Sequence, residues 1–134
     1  MKYLLDTCAL VWHMTGDKKL SDTAREIIFS SDNVYVSFAS LWEIAVKQTI
    51  GKLSAVTKSV YEIAEICADG GIVIMPLKLA YLERLKHMPL IHRDPFDRII
   101  IATAIEEGLT LLTNDSNITK YEVKTIWQTQ KEEQ

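Results

Sequence analysis

The sequence is poor in the residues that mark several large functional classes, and each scarcity argues against one of them. There are two cysteines, Cys8 and Cys67, with no CxxC pair and no histidine at ligand spacing. Neither a disulfide framework nor a cysteine zinc site is indicated, and both thiols read as reduced core residues. Glycine occurs five times and never in a phosphate-cradling pattern, because Gly70-Gly71 follows a helical stretch and lacks the fingerprint spacing. The histidines His13, His87 and His92 are scattered, so acid–base work on RNA by a converging pair is not expected. His92 lies near the acidic stretch described below, where a phosphate contact is its alternative role, and reads first as an exposed loop residue. Basic side chains do not dominate: 15 Lys and Arg stand against 18 Asp and Glu, a net charge of -3. No global positive field therefore announces a binder of long duplexes. No apolar run approaches the ~18 residues of a membrane span. Tyr3-Leu4-Leu5 ahead of Asp6 is also too short for a signal peptide, which makes the cytoplasm the expected location.

What remains is an ordinary globular composition. With 134 residues, 48% hydrophobic and 25% charged, the chain suits one domain around one core and is not a disordered segment. Lys2 to Leu5 reads as a short buried strand ending at Asp6-Thr7. A helix over Cys8 to Met14 follows, broken at Thr15-Gly16-Asp17. Ser21 caps a second helix with Ala24, Ile27 and Ile28 on its apolar face. Val34 to Phe38 is β-rich, Ala39 to Thr49 helical, and a further helix spans Val56 to Ala68. Ile72 to Met75 is a strand closed by Pro76, and Lys78 to His87 is helical. Leu109 to Thr113 and Val123 to Trp127 complete the strands. Residues 1–127 form the expected single domain, and 128–134 a polar tail predicted to fray. Continuously apolar strands alternating with helices predict an α/β fold, a mainly parallel sheet wrapped on both faces. Trp12, Trp42 and Trp127 are expected in the core or at an interface.

One stretch stands out: His92-Arg93-Asp94-Pro95-Phe96-Asp97-Arg98, continuing into Ile99-Ile100-Ile101-Ala102-Thr103-Ala104-Ile105. Asp94 is a good N-cap, Pro95 fits the first helical position, and Asp97 lies three residues past the cap, predicting a helix from Pro95 to Glu107. At roughly 100° per residue, Asp97 sits within about 80° of Ile100, Ile101, Ala104 and Ile105, with Arg98, Ala102 and Glu106 opposite. A carboxylate in the middle of an apolar stripe is costly to bury alone, so a cationic partner is expected there.

Other acids are expected in the same region of an α/β sheet, beyond the carboxyl ends of its strands. Asp6 closes the first strand, Asp115 follows the strand Leu109 to Thr113, and Glu43 lies on the helix after Val34 to Phe38. Each has a plainer reading. Asp6 caps a helix, Glu43 pairs with Lys47 for ~0.3–0.5 kcal/mol, and Asp115 makes an Asx turn. Together they repel one another unless a cation holds them. All-oxygen ligands favour Mg²⁺ or Mn²⁺, ions that stabilise charge on a phosphoryl group and activate water for in-line attack.

Leu4-Leu5-Asp6-Thr7, Ser40-Leu41-Trp42-Glu43-Ile44, Asp97 within Asp-Pro-Phe-Asp-Arg, and Leu112-Thr113-Asn114-Asp115 resemble, in order and spacing, the PIN-domain nucleases, and among them the VapC-type toxins. The resemblance covers essentially the whole chain. It implies a three-layer α/β/α sandwich and Mg²⁺- or Mn²⁺-dependent endoribonuclease activity. By it, Asp6, Glu43, Asp97 and Asp115 are the catalytic, metal-binding quartet, and Thr113 is the small polar residue near the last acid. It also implies a homodimer and a small cognate antitoxin whose C-terminal segment occupies the acidic groove. Arg93, Arg98, Lys47 and Lys52 are candidates for phosphate contact in the RNA substrate. Asp94 is extra to the general pattern, and its link to the metal stays open. So does the choice between core and peptide groove for Trp12, Leu20, Phe29 and Trp42. The competing readings are an aspartyl-phosphate phosphohydrolase with Asp6 as nucleophile, disfavoured by Cys8 where a second Asp would stand, and a non-catalytic RNA- or peptide-binding module.

Overall fold

Apolar strands and side-chain-capped helices alternate along the chain. The computed structural model describes residues 1–128, so the polar tail expected at 128–134 falls, from 129 on, outside the described residues. In order the elements are β1 (Tyr3–Leu5), α1 (Thr7–Thr15), α2 (Asp22–Ser30), β2 (Val34–Ser37), α3 (Phe38–Thr49) and α4 (Val60–Asp69). They continue with β3 (Ile72–Met75), α5 (Leu79–His87), α6 (Pro95–Glu107), β4 (Thr110–Leu112), α7 (Ser116–Thr119) and β5 (Thr125–Ile126). The strands form one parallel sheet in the order β3-β2-β1-β4-β5. Helices cover both faces, giving the three-layer α/β/α sandwich.

The strands are apolar throughout because both faces are covered. Leu5 is in register with Val36 and Leu112, and these three join one core with Ala9, Leu10, Ile44 and Ile63. The alternate position, Leu4 beside Tyr35 and Leu111, faces a second core with Tyr81, Ile100 and Ile101. Side chains of period two thus feed two cores from one strand.

Several boundaries differ from the sequence reading for identifiable local reasons. Phe38 opens α3 rather than closing β2, since the Ser37 side chain accepts from Ala39 N at 3.0 Å and starts the helix there. The stretch 56–59 is not helical: the Gln48 side-chain amide donates to the carbonyls of Val56 and Lys58. Ser59 and Glu62 then form a capping box that begins α4. The short α7 was not anticipated, and Asp115 is its cap. In α6 every residue from Ile99 to Ala104 is buried, so Ala102 does not face solvent as helical periodicity suggested. The helix packs on the sheet and also against α5 and α3, which leaves its middle no open side. Trp42, with 53% of its surface exposed, lies outside the core. Cys67 is buried as expected, whereas Cys8 is exposed. Among the described residues no helix is long and apolar enough to cross a membrane.

Candidate metal centre

From β1 the sheet grows in one direction through β2 and β3, and the chain then returns to place β4 on the other side of β1. Such a switch in direction opens a crevice beyond the carboxyl ends of the two diverging strands. Asp6 directly follows β1, and Asp115 follows β4. Glu43 is on α3, entered from the end of β2, and Asp97 is in the first turn of α6.

Helix starts and site residues coincide here. Asp6 Oδ1 accepts from Ala9 N at 2.7 Å as the cap of α1. Asp115 Oδ1 accepts from Asn117 N at 2.9 Å as the cap of α7. Asp94 Oδ1 takes the amides of Phe96 and Asp97 at 2.8 and 3.0 Å as the cap of α6. Capping therefore occupies one oxygen of each of these carboxylates, and the Thr113 side chain adds a further hydrogen bond to Asp6. Glu43 is 4% exposed and held by both its oxygens: Thr7 Oγ1 donates to Oε1 at 2.6 Å, and Lys47 Nζ donates to Oε2 at 2.6 Å. The Ser40 hydroxyl lies 3.0 Å from that of Thr7 and completes this buried network.

The electrostatics show the groups acting on one another. Desolvation is the main cause that pushes Asp6 up to about 7. The charges of Asp97 and Asp115 add to it, while hydrogen bonds from Thr113 and the Ala9 amide oppose it. Asp97 is pushed up to about 6, again chiefly by desolvation, with Asp94 and Glu43 raising it and His92 lowering it. The exposed Cys8 reports the same field. Partial burial of its thiol, followed by the charges of Asp6, Asp97 and Glu43, pushes it up to about 11. Desolvated carboxylates that disfavour one another's ionisation fit a divalent cation, which relieves both penalties, and the donors are the oxygens that Mg²⁺ and Mn²⁺ accept. The tightest grouping is not the expected quartet. Among the described residues, donor atoms of His92, Asp94 and Asp97 all lie within 4.8 Å of one another.

The side chain that meets Asp97 is His92, whose Nε2 lies 2.8 Å from Asp97 Oδ2, with both side chains mostly buried. His92 is thus not the exposed loop residue read from the sequence. The contact was concealed because His92 lies in an irregular segment without periodicity, held by the distant Tyr121 hydroxyl. Arg98 points elsewhere. Its guanidinium donates to the carbonyls of Leu85 and Pro89 and to the Tyr121 hydroxyl, at 2.9 to 3.0 Å, and so braces the segment before α6. Thr113 is 1% exposed. It stands between acids, accepting from Asp115 N at 3.1 Å and hydrogen bonding to Asp6. Lys47 is paired with Glu43, while Arg93 and Lys52 are exposed.

A family model for the PIN domain matches residues 3–124. The chain belongs to the PIN domain family. Comparison with curated proteins gives no match. Among solved structures, VapBC2 from Rickettsia felis, bound to a DNA fragment from its promoter, superposes with a TM-score of 0.70 at 17% identity, covering 94% of this chain and 98% of that one. A toxin–antitoxin complex from Klebsiella pneumoniae gives 0.64 at 20% identity, covering 93% and 96%. DNA-bound VapBC from Salmonella typhimurium gives 0.64 at 14% identity, covering 94% and 97%. At these identities the likeness establishes a shared fold, and the arrangement of this PIN domain's acids is its own observation.

Proposed function

We propose that this PIN domain is a divalent-metal-dependent endoribonuclease and the toxin of a toxin–antitoxin pair. The observation that carries the reading is the group of acids at the sheet's switch point, where Asp6 and Asp97 are desolvated enough to resist ionisation, Asp6 also facing the charges of Asp97 and Asp115, and Asp97 those of Asp94 and Glu43. Asp6, Asp97 and Asp115 would hold Mg²⁺ or Mn²⁺, with Glu43 beside them. Such an ion, when bound, neutralises charge at a phosphoryl oxygen and makes water more acidic. The chain's own part is positioning. Thr7 and Lys47 fix both oxygens of Glu43, which suits it to orient a water or accept its proton. Of the basic candidates, Arg93 and Lys52 are the exposed ones left for phosphate.

A small antitoxin, a homodimer and the cytoplasm belong to the same reading. The toxin role is supported by fold neighbours that are toxin–antitoxin complexes. A protein partner is further supported by an apolar cleft of about 440 Å³ bordered by Phe38, Trp42 and Tyr61. Trp42 packs edge-on against Phe96, next to Asp97, at a ring-centroid distance of 5.1 Å, so the cleft adjoins the acids.

The test is cleavage of structured and single-stranded RNAs with Mg²⁺, Mn²⁺ or EDTA, for wild type and Asp97→Asn. A loss beyond about 100-fold in the variant is expected, the upper end of what residues supporting a metal contribute. Equal, EDTA-insensitive cleavage by both proteins would overturn the metal assignment. Growth arrest on expression, relieved by the neighbouring small reading frame, tests the toxin role.

A further inference from the structure

We infer that His92 is a direct ligand of the metal centre, which makes this site selective for first-row transition ions over Mg²⁺. The inference rests on the metal-centre reading above and adds a nitrogen donor to it. His92, Asp94 and Asp97 bring one imidazole nitrogen and two carboxylates within 4.8 Å of one another. The separation of His92 Nε2 and Asp97 Oδ2, 2.8 Å, is close to that of two adjacent donors on one octahedral ion, about 3 Å for bonds of about 2.1 Å.

The main chain that carries the imidazole is also held in place. The backbone amides of Ile91 and His92 both donate to the Tyr121 hydroxyl, at 3.1 and 2.8 Å. Arg98 donates to the same hydroxyl at 3.0 Å while anchoring the carbonyls of Leu85 and Pro89. Asp94, the third donor, is fixed by capping α6 through Oδ1. A segment with no regular structure thus presents a histidine from a braced position, which favours ligation over incidental packing.

The ligand chemistry follows. Mg²⁺ takes oxygen donors and keeps its waters, whereas imidazole raises affinity for transition ions, increasingly along the series from Mn²⁺ through Co²⁺ to Ni²⁺. Replacing one oxygen or water by imidazole therefore separates the two classes of ion.

The test uses the full chain stripped with EDTA, titrated calorimetrically with Co²⁺, Mn²⁺ and Mg²⁺, and pulsed electron paramagnetic resonance of the Mn²⁺-loaded protein. Wild type is expected to prefer Co²⁺ and Mn²⁺ to Mg²⁺ and to show imidazole nitrogen coupling to Mn²⁺. His92→Gln is expected to lose that coupling and about 10- to 100-fold in Co²⁺ affinity, with Mg²⁺ binding nearly as before. The main-chain bonds of residue 92 to Tyr121 persist in the variant, and a thermal melt confirms that it folds. Wild type without nitrogen coupling overturns direct ligation, as does a variant that binds every ion more tightly, because His92 then merely competes for Asp97. If Asp97→Asn abolishes binding while His92→Gln changes nothing, the ligand assignment fails and the metal centre stands. If wild type binds no ion at all, both fail.

Discussion

Replacing Asp6 by Asn should make the metal-free protein more stable at neutral pH while abolishing its response to metal. The carboxylate is 4% exposed and is displaced from 3.8 to about 7, desolvation being the largest cause. At about 1.4 kcal/mol per tenfold, that displacement corresponds to an upper limit of about 4 kcal/mol against the ionised form. Because Asp97 and Asp115 share the repulsion, a gain of about 1–3 kcal/mol is the expected recovery. Asn preserves the cap, since its side-chain oxygen accepts from the Ala9 amide as Asp does. The sign follows from proton binding. Between pH 3.8 and about 7 the folded wild type holds a proton on Asp6 that the unfolded chain has released. Wild-type stability therefore falls as pH rises through this window and levels off above it. The variant lacks that contribution. Thermal and urea melts of EDTA-treated proteins at both ends of the window measure the difference, each kcal/mol being worth about 2–6 °C in a chain of this size. Mg²⁺ or Mn²⁺ should restore wild-type stability above the window and leave Asp6→Asn unmoved. A variant less stable than wild type by the same amount at every pH would refute the reasoning, since capping or packing would then outweigh desolvation.

Three further outcomes are expected. Arg98→Ala should lower stability by about 1.5–3 kcal/mol, because the removed guanidinium leaves the Leu85 and Pro89 carbonyls without their charged donor; an unchanged melt with weakened RNA binding would instead place Arg98 on phosphate. Thr7→Val should cost about 1–3 kcal/mol by leaving the buried Glu43 Oε1 unsatisfied, and should slow RNA cleavage, as read by melting and turnover together. Cys8, pushed up to about 11 by partial burial and then by the acids around it, should react slowly with a disulfide reagent at neutral pH. It should react several-fold faster once Mg²⁺ neutralises those acids; an unchanged rate would remove the acids from the thiol's surroundings.

The fold was legible because its signals are local. A parallel sheet covered on both faces requires unbroken apolar strands, and Leu4-Leu5, Val34–Val36 and Leu111-Leu112 have no polar alternation to suggest otherwise. Helix starts were readable from Ser21 and Asp94, whose side chains cap the next turn whatever the rest of the chain does. The limits of β2 and α4 were less clear. They depend on the Ser37 side chain and on Gln48 reaching across to the carbonyls of residues 56 and 58.

The acids followed the same division. Sequence order alone placed Asp6 and Asp115 at strand ends and Asp97 at a helix start, and it required a partner for a carboxylate set in an apolar stripe. The identity of that partner was a tertiary matter. His92 precedes its helix in a segment without periodicity, and Tyr121, far along the chain, turns it onto Asp97. Tertiary packing also assigned Arg98 to carbonyls, placed Thr113 between Asp6 and Asp115, and put Cys8 at the exposed edge of the site. Short-range hydrogen bonds and the period of apolar residues are written in the sequence. Desolvation and the field of neighbouring charges exist only where the chain has closed around them.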